Sequence, residues 1–147
     1  MKTIFEALRE SHDKQRRLLD GLTDTHGDSS KREGLFAALK AELVHHANAE
    51  ERHFYVPLME YDRTQETARH SVAEHREIDE LVETLEETDY SSPSWLTSAK
   101  KLQHLVTHHL DEEEQEVFQV AGKVLTDTEK TDLADSYDAM MAEQAGS

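Results

Sequence analysis

The chain has 147 residues, no cysteine, and 32 acidic against 16 basic residues, which gives a net charge of −16. The lack of cysteine excludes disulfides, iron–sulfur clusters and thiolate zinc sites, and the acidic balance argues against binding to nucleic acid or anionic membranes. No apolar run is long enough for a signal sequence or a membrane span. We therefore expect a single cytoplasmic domain over residues 1–147.

The first half of the chain predicts two helices. Thr3 and Glu6 form a possible capping box, and apolar residues at helical spacing follow to about residue 24. A polar loop leads to a second possible capping box, Ser30 with Glu33, which opens a long amphipathic helix. Pro57 should kink or end this helix near its C-terminus.

The second half predicts two more long helices and a short one. The third helix covers about residues 64–87, and the fourth begins near Pro93, after a turn over 89–94, and loosens at Gly122. Thr126 and Glu129 form a third capping box, which opens a helix over about residues 127–143 with Tyr137 on its apolar side. The fold class is therefore all-α, an up-down-up-down four-helix bundle over about residues 3–121 with a short additional C-terminal helix.

One pattern occurs twice in the chain. His46 lies four residues before Glu50, and His109 lies four residues before Glu113, so each pair shares one face of its helix. Two single histidines on inward faces, His12 and His75, are separated by the same length of chain as the two copies of the pair. The chain therefore contains an internal repeat with one constant displacement.

The repeated pattern predicts a metal centre between the four helices. A single inward histidine is more often a hydrogen-bonded core residue, and a single His/Glu pair is more often a surface contact. Six ionisable side chains in one register are different, because burying them unpaired would be costly and a cation would remove that cost. The predicted ligands are His12, His46, Glu50, His75, His109 and Glu113.

The ligand types favour iron, with manganese and zinc as competitors, because imidazole and carboxylate occur together without sulfur. Two bridging glutamates and four histidines would fill eight of about twelve positions around two octahedral ions. The remaining positions would be open to water, to an oxo or hydroxo bridge, or to a small ligand.

Other polar residues have less specific interpretations. His104, His108 and Glu112 form a row on the flank of the fourth helix, which we interpret as a solvated face that could take up a stray metal ion. His53 could support a ligand or be an ordinary boundary residue. Glu51, Glu114, Tyr55 and Tyr61 are candidate proton or hydrogen-bond partners, although a boundary position is the favoured interpretation.

Four motifs in this order resemble the hemerythrin-like, or HHE cation-binding, family over about residues 3–121. They are Ser11-His12-Asp13, His46-x-x-x-Glu50-Glu51, Glu74-His75-x-x-Ile78 and His109-x-x-x-Glu113-Glu114. The resemblance implies a non-haem di-iron centre with the four histidines as terminal ligands and the two glutamates, Glu50 and Glu113, as bridges.

The chain departs from the oxygen-carrying members of that family in two respects. Those members have a fifth histidine one turn from the ligand of the third helix, whereas Ser71 and Asp79 stand on either side of His75 here. The helix-four motif also keeps Glu113 where the oxygen carriers have a longer spacing to an aspartate. Both departures point away from reversible oxygen carriage.

Three functions remain open at this stage. The first is a di-iron protein that binds or senses O2, NO, or the iron or redox state. The second is a di-iron enzyme of oxidative or nitrosative stress defence, which would turn over peroxide or NO or oxidise Fe(II). The third is a structural bundle in which any metal is adventitious.

Overall fold

The computed structural model describes residues 1–146, and within that range the regular structure is entirely helical. None of the helices in this range combines the length and the apolar character needed to cross a membrane. The helices are α1 (Ile4–Thr23), α2 (Ser30–Glu50, continued by Glu51–Tyr55 and Val56–Leu58), α3 (Asp62–Glu87), α4 (Pro93–Glu112, continued by Glu113–Val117 and Phe118–Val124) and α5 (Asp127–Ala145).

Two of the three predicted capping boxes are present, and the third is replaced by a single N-cap bond one residue earlier. The side chains of Thr3 and Thr126 each accept a hydrogen bond from the N–H three residues on, and the glutamate there returns the bond. The prediction of Ser30 as a cap was wrong by one residue. Ser29 has the extended backbone that an N-cap needs (φ −143, ψ 155), and its hydroxyl accepts from the N–H of Arg32.

Both long helices that contain a His/Glu pair include a π-helical turn, which the sequence analysis did not predict. The turns cover Glu51–Tyr55 in α2 and Glu113–Val117 in α4. A π-turn inserts an extra residue into the helical repeat and is frequent at functional sites. Glu50 immediately precedes the first turn, and Glu113 opens the second. Pro57 stands one residue before the end of α2, as predicted.

The helices form the predicted up-down-up-down bundle. Helix α1 packs against α2 and α4, α3 packs against α4 and the C-terminal part of α2, and α5 lies across α1 and α2. The core divides into two apolar clusters. One contains Leu8, Phe54, Phe118 and Tyr137, and the other contains Leu19, Leu43, Trp95 and Val106. The six predicted ligands occur along their helices between the members of these two clusters, which makes them a polar layer in the core.

The end of the bundle beyond the second cluster is closed by one buried cation. Arg32 is 2% exposed. Its guanidinium donates to the hydroxyl and the carbonyl of Thr25 at 2.8 Å each and to the carbonyl of Tyr90 at 2.7 Å. It also lies 4.6 Å from the ring centroid of Trp95. Arg32 therefore ties the α1–α2 loop to the α3–α4 loop.

Candidate metal centre

The polar layer brings the six predicted ligands together, at least one from each of the four bundle helices. All six are at most 5% exposed. Their apolar neighbours along each helix, such as Leu8 before His12 and Val106 before His109, are buried as well. The helical periodicity that makes the apolar stripes thus turns these ionisable groups inward.

Each histidine directs its Nε2 atom at a glutamate of the layer. Nε2 of His46 and Nε2 of His75 lie 3.3 and 3.1 Å from Oε1 of Glu50. Nε2 of His12 lies 3.0 Å from Oε1 of Glu113, and Nε2 of His109 lies 3.6 Å from Oε2 of the same residue. Nε2 of His12 also lies 3.9 Å from Oε2 of Glu50, so three histidines approach Glu50 and two approach Glu113.

The ligand atoms form two groups, and within each group all atoms lie within 4.8 Å of one another. The first group contains His12, His46, Glu50 and Glu113, and the second contains Glu50, His75 and His109. Glu50 belongs to both. Two groups that share a carboxylate are the arrangement expected for two ions joined by a bridge.

Buried polar atoms without a hydrogen-bond partner indicate whether a cation fits this centre. Within residues 1–146, the buried atoms that lack a hydrogen bond of acceptable geometry include Nε2 of three histidines and three carboxylate oxygens of this layer. Leaving such atoms unsatisfied is costly, and a metal ion would satisfy them together. The atoms are Nε2 of His12, His46 and His109, both oxygens of Glu50, and Oε1 of Glu113.

The other ring nitrogen, Nδ1, of each of the four ligand histidines has a hydrogen-bond partner. Nδ1 of His12 lies 2.7 Å from Glu114, that of His75 lies 3.2 Å from Glu51, that of His109 lies 2.9 Å from Glu74, and that of His46 lies 2.6 Å from the hydroxyl of Tyr137. An acceptor at Nδ1 keeps the proton there and leaves the Nε2 lone pair free for a metal.

The partners follow the internal repeat except at one place. Glu114 and Glu51 occupy equivalent positions in the two copies, and they support His12 and His75, which are also equivalent. The counterpart of Glu74, which supports His109, would be Ser11. A serine has no carboxylate to offer, and the hydroxyl of Tyr137 instead lies between Ser11 Oγ, at 2.6 Å, and His46. Helix α5 therefore completes the first half of the centre.

Of the four candidate proton or hydrogen-bond partners predicted from the sequence, three contact the ligands and one does not. Glu51 and Glu114 contact ligand histidines, and the Tyr55 hydroxyl donates a hydrogen bond to Glu113. Tyr61 instead bonds Glu129 at the start of α5. His53 lines a groove with residues of α5 and belongs to neither ligand group.

Two hydrogen-bond partners of the ligand histidines, Glu74 and Tyr137, were not predicted from the sequence. For Glu74 there was a signal, since it immediately precedes His75 in a motif, but its partner is His109 on the neighbouring helix. Tyr137 was predicted to cover the bundle and does so, but nothing in the spacing connects it to His46, 91 residues away.

The two buried carboxyls have opposite proton affinities. Burial and the neighbouring charge of Glu50 raise the pKa of Glu113 well above its usual value. Burial would also raise the pKa of Glu50, but the charge of His46 and the polar contacts with Glu113 and His12 outweigh it and lower this pKa well below its usual value. Within this pair Glu113 therefore keeps a proton to a higher pH than Glu50 does.

Two histidines of the centre have raised pKa values. Burial lowers the pKa of His75, but close contacts with the carboxylates of Glu50 and Glu51 outweigh it and raise the pKa to about 9. His12 shows the same balance: contacts with Glu113 and Glu114 outweigh burial, and its pKa is well above the usual value. His46 differs, because burial dominates and lowers its pKa.

A small cavity adjoins the centre on the side of His46, His75 and His109. Its volume, ≈ 10 Å³, is close to the minimum that one water molecule needs. Asp79, which stands where the oxygen carriers' fifth histidine was considered, lines it as well. The remaining lining residues are Gln15, Leu43, Ala47 and Ile78. A ligand of two or three atoms is the size that such a space can accept with small side-chain movements.

Two comparisons with known proteins found a match. The family model of the hemerythrin HHE cation binding domain matches residues 3–121. The crystal structure of a hemerythrin HHE cation binding domain-containing protein from Mycobacterium kansasii is similar, with a TM-score of 0.90 and 26% identity over 99% of this chain and 89% of that chain. No curated protein sequence matches the chain.

Proposed function

Because the chain belongs to the hemerythrin HHE cation-binding family, we propose that its buried polar layer holds two iron ions and that the protein binds or senses O2, NO, or the iron or redox state. The observation that carries the proposal is the pair of ligand groups that share Glu50. One group alone would favour a single ion. Two groups within one layer favour two ions, with Glu50 and Glu113 as the bridges.

Iron is the proposed metal because the ligands are imidazoles and carboxylates without sulfur. When bound, two irons would supply a redox-active centre with free positions for a small ligand. The protein's own part is to hold the ligands. Glu51, Glu74 and Glu114 orient three of the histidines, and Tyr137 orients the fourth. In this proposal the bundle and α5 act as one domain, since α5 supplies Tyr137.

The small cavity supports binding of a diatomic molecule over turnover of a larger substrate. It touches three of the four ligand histidines and is bordered by the apolar side chains of Leu43 and Ile78. A neutral diatomic loses little solvation on entering such a space, whereas a large polar substrate would not fit. The cavity is therefore the proposed ligand site.

Gas titration of the iron-loaded protein tests this function. We expect reversible changes in the ultraviolet–visible spectrum on adding O2 or NO to the reduced protein, without net consumption beyond one equivalent per centre. A spectrum indifferent to both gases and to the oxidation state would contradict the proposal.

A second candidate function is an enzyme that turns over peroxide or NO or oxidises Fe(II). It is favoured by one contact, the hydrogen bond from the Tyr55 hydroxyl to Glu113, because it places a proton donor at the centre. Sustained turnover that falls at least tenfold in Tyr55→Phe, with iron content unchanged, would support the enzyme. A single stoichiometric reaction would exclude it.

The alternative of a structural bundle makes a different prediction. His46→Leu with His109→Leu would then be neutral or stabilising, and metal would not change the melting temperature of the unsubstituted chain. If Fe(II) raises the Tm of the unsubstituted protein and not that of the double variant, the structural alternative is excluded.

A further inference from the structure

A second group of ligand-type side chains lies outside the buried layer, on the surface between α3 and α4. Nε2 of His70 lies 3.3 Å from Oε1 of Glu112 and 3.6 Å from Oε1 of Glu74. The other carboxylate oxygen of Glu112 lies 3.2 Å from Nε2 of His108. The ligand atoms of His70, Glu74 and Glu112 are all within 4.8 Å of one another.

The charge balance of this outer group differs from that of an ordinary acidic surface. Surface carboxylates commonly pair with lysine or arginine. Within residues 1–146, the ion pairs of Glu74 and Glu112 are with histidines alone, and no Lys or Arg approaches either carboxylate closely enough to neutralise it. The group therefore offers one imidazole nitrogen and two carboxylates that no Lys or Arg side chain neutralises, and the imidazole of His108 flanks it.

The internal repeat shows that this arrangement is specific to one half of the chain. The positions in the first half that are equivalent to His70, Glu74 and Glu112 are Ala7, Ser11 and Ala49. Ala7 and Ala49 are buried in the cluster that contains Tyr137 of α5, and Ser11 is hydrogen-bonded to Tyr137. In the first half α5 covers this face. In the second half the equivalent face is open, with His70 59% exposed, and it carries the ligand-type residues.

We propose that His70, Glu74 and Glu112 bind a divalent transition-metal cation at the surface, separate from the buried centre. One imidazole and two carboxylates would fill three positions of a tetrahedral Zn²⁺ or Co²⁺ site, and a water molecule would take the fourth. Glu74 connects the two sites, because the oxygen that faces His70 also accepts from Nδ1 of His109, at 2.9 Å. The outer site thus lies one carboxylate away from a ligand of the buried centre.

The grooved surface beside the outer site supports cation binding. It is lined by His108 and Glu112 and by the acidic side chains of Asp111 and Glu116. Carboxylates near a site raise the local concentration of cations and strengthen their binding at low salt. We therefore expect added salt to lower the cation affinity of the outer site more than that of the buried centre.

The test is the stoichiometry of Co²⁺ binding to the metal-free full-length chain, measured by equilibrium dialysis and calorimetry. We expect three ions per chain, of which the outer one is lost, or binds at least tenfold more weakly, in His70→Ala and in Glu112→Gln. His104→Ala is the matched control, because His104 is exposed on the same helix one turn before His108 and is not part of the site. It should keep three ions.

The outer site rests on its own residues, so its failure can be told from failure of the buried centre. His46→Leu with His109→Leu removes ligands of the centre and should leave one Co²⁺ per chain, at His70. Two ions in the unsubstituted chain and two in His70→Ala would overturn the outer site and leave the centre standing. One ion in the unsubstituted chain that disappears in His70→Ala would support the outer site and contradict the centre.

Discussion

The hydroxyl of Tyr137 lies 2.6 Å from Nδ1 of His46, although the two residues are 91 positions apart in the chain. Tyr137 comes from α5, outside residues 3–121 that the family model matches. The other three ligand histidines are supported by carboxylates of the bundle itself. A neutral hydroxyl polarises an imidazole less than a carboxylate does, so His46 has the weakest electrostatic support of the four.

Tyr137→Phe should weaken metal binding without disturbing the packing of α5. The ring stays and the hydroxyl is lost, so both His46 Nδ1 and Ser11 lose a buried partner. We expect the affinity for the buried metal to fall about 10- to 100-fold and the free energy of unfolding of the metal-free protein to fall by about 1–3 kcal/mol. Competition with a chelator and urea unfolding measure the two effects.

Tyr61→Phe is the control for that substitution. Tyr61 also joins the region of α2 to α5 through its hydroxyl, which donates to Glu129 at 3.1 Å, but it does not touch a ligand. Its loss should leave metal affinity unchanged. An equal loss of affinity in both variants would mean that α5 acts only by docking.

Metal binding should release protons and should strengthen as the pH rises. In the metal-free centre the pKa values of His12, His75 and Glu113 are raised, that of His75 to about 9, so these three groups keep their protons to a higher pH than usual. Metal ions compete with those protons. When Fe(II) is added anaerobically at pH 7, we expect the protein to release protons, which a weak buffer with a pH indicator would register. Binding without proton release would show that the centre is deprotonated before the metal arrives.

The stability of the metal-free fold should fall as the pH rises, whereas metal binding should strengthen. The raised pKa of His75 means that its contribution to stability is full below pH 6.5, its unfolded value, and is lost as the pH rises to about 9. The increase in Tm caused by metal should therefore grow between pH 6.5 and 9. Thermal melts with and without metal across this range provide the measurement, and an increase that shrinks with pH would contradict the assignment of the protons.

Filling the small cavity should block the ligand and spare the metal. Ala47 lines the cavity, so Ala47→Leu places extra methyl groups in the space beside His46 and His75. We expect unchanged iron content and at least tenfold weaker NO binding. Ala41→Leu, on an exposed position of the same helix, should bind NO normally. Normal NO binding by Ala47→Leu would place the ligand elsewhere.

Arg32→Lys should destabilise the fold far from the centre. A lysine cannot reproduce the three hydrogen bonds to Thr25 and Tyr90 or the stacking on Trp95. We expect a loss of about 2–4 kcal/mol in the free energy of unfolding, with metal content unchanged. Lys31→Ala, at the exposed neighbouring position, should cost little.

The sequence predicted the faces of the helices well, and it predicted contacts between helices poorly. Helical spacing turns His12, His46, His75 and His109 inward, and the constant displacement of the internal repeat relates the two halves of the layer. Which group meets Nδ1 of each histidine depends on how neighbouring helices are positioned. For that reason Glu74 and Tyr137 were missed.

Two local features, the N-cap of α2 and the π-turns, could not be predicted from the sequence, because the competing local conformations are close in energy. Ser29 and Ser30 are both good caps, and the choice follows from which of them takes the extended backbone that leads from the loop. The π-turns after the two His/Glu pairs cost helix regularity and must be stabilised by the tertiary contacts of Tyr55, Glu51 and Glu114. Periodicity alone contains no information on either.

Iron content tests the central claim most directly. Protein made in iron-supplemented cells and purified without chelator should contain two irons per chain and show ultraviolet–visible bands that bleach on reduction. His70→Ala, used as the background, keeps the outer site from contributing. Within it, Glu50→Ala should lose both irons, and Glu42→Gln, a buried glutamate of the same helix outside both ligand groups, should keep them. One iron per chain, or a folded chain that takes up none, would contradict the dinuclear centre.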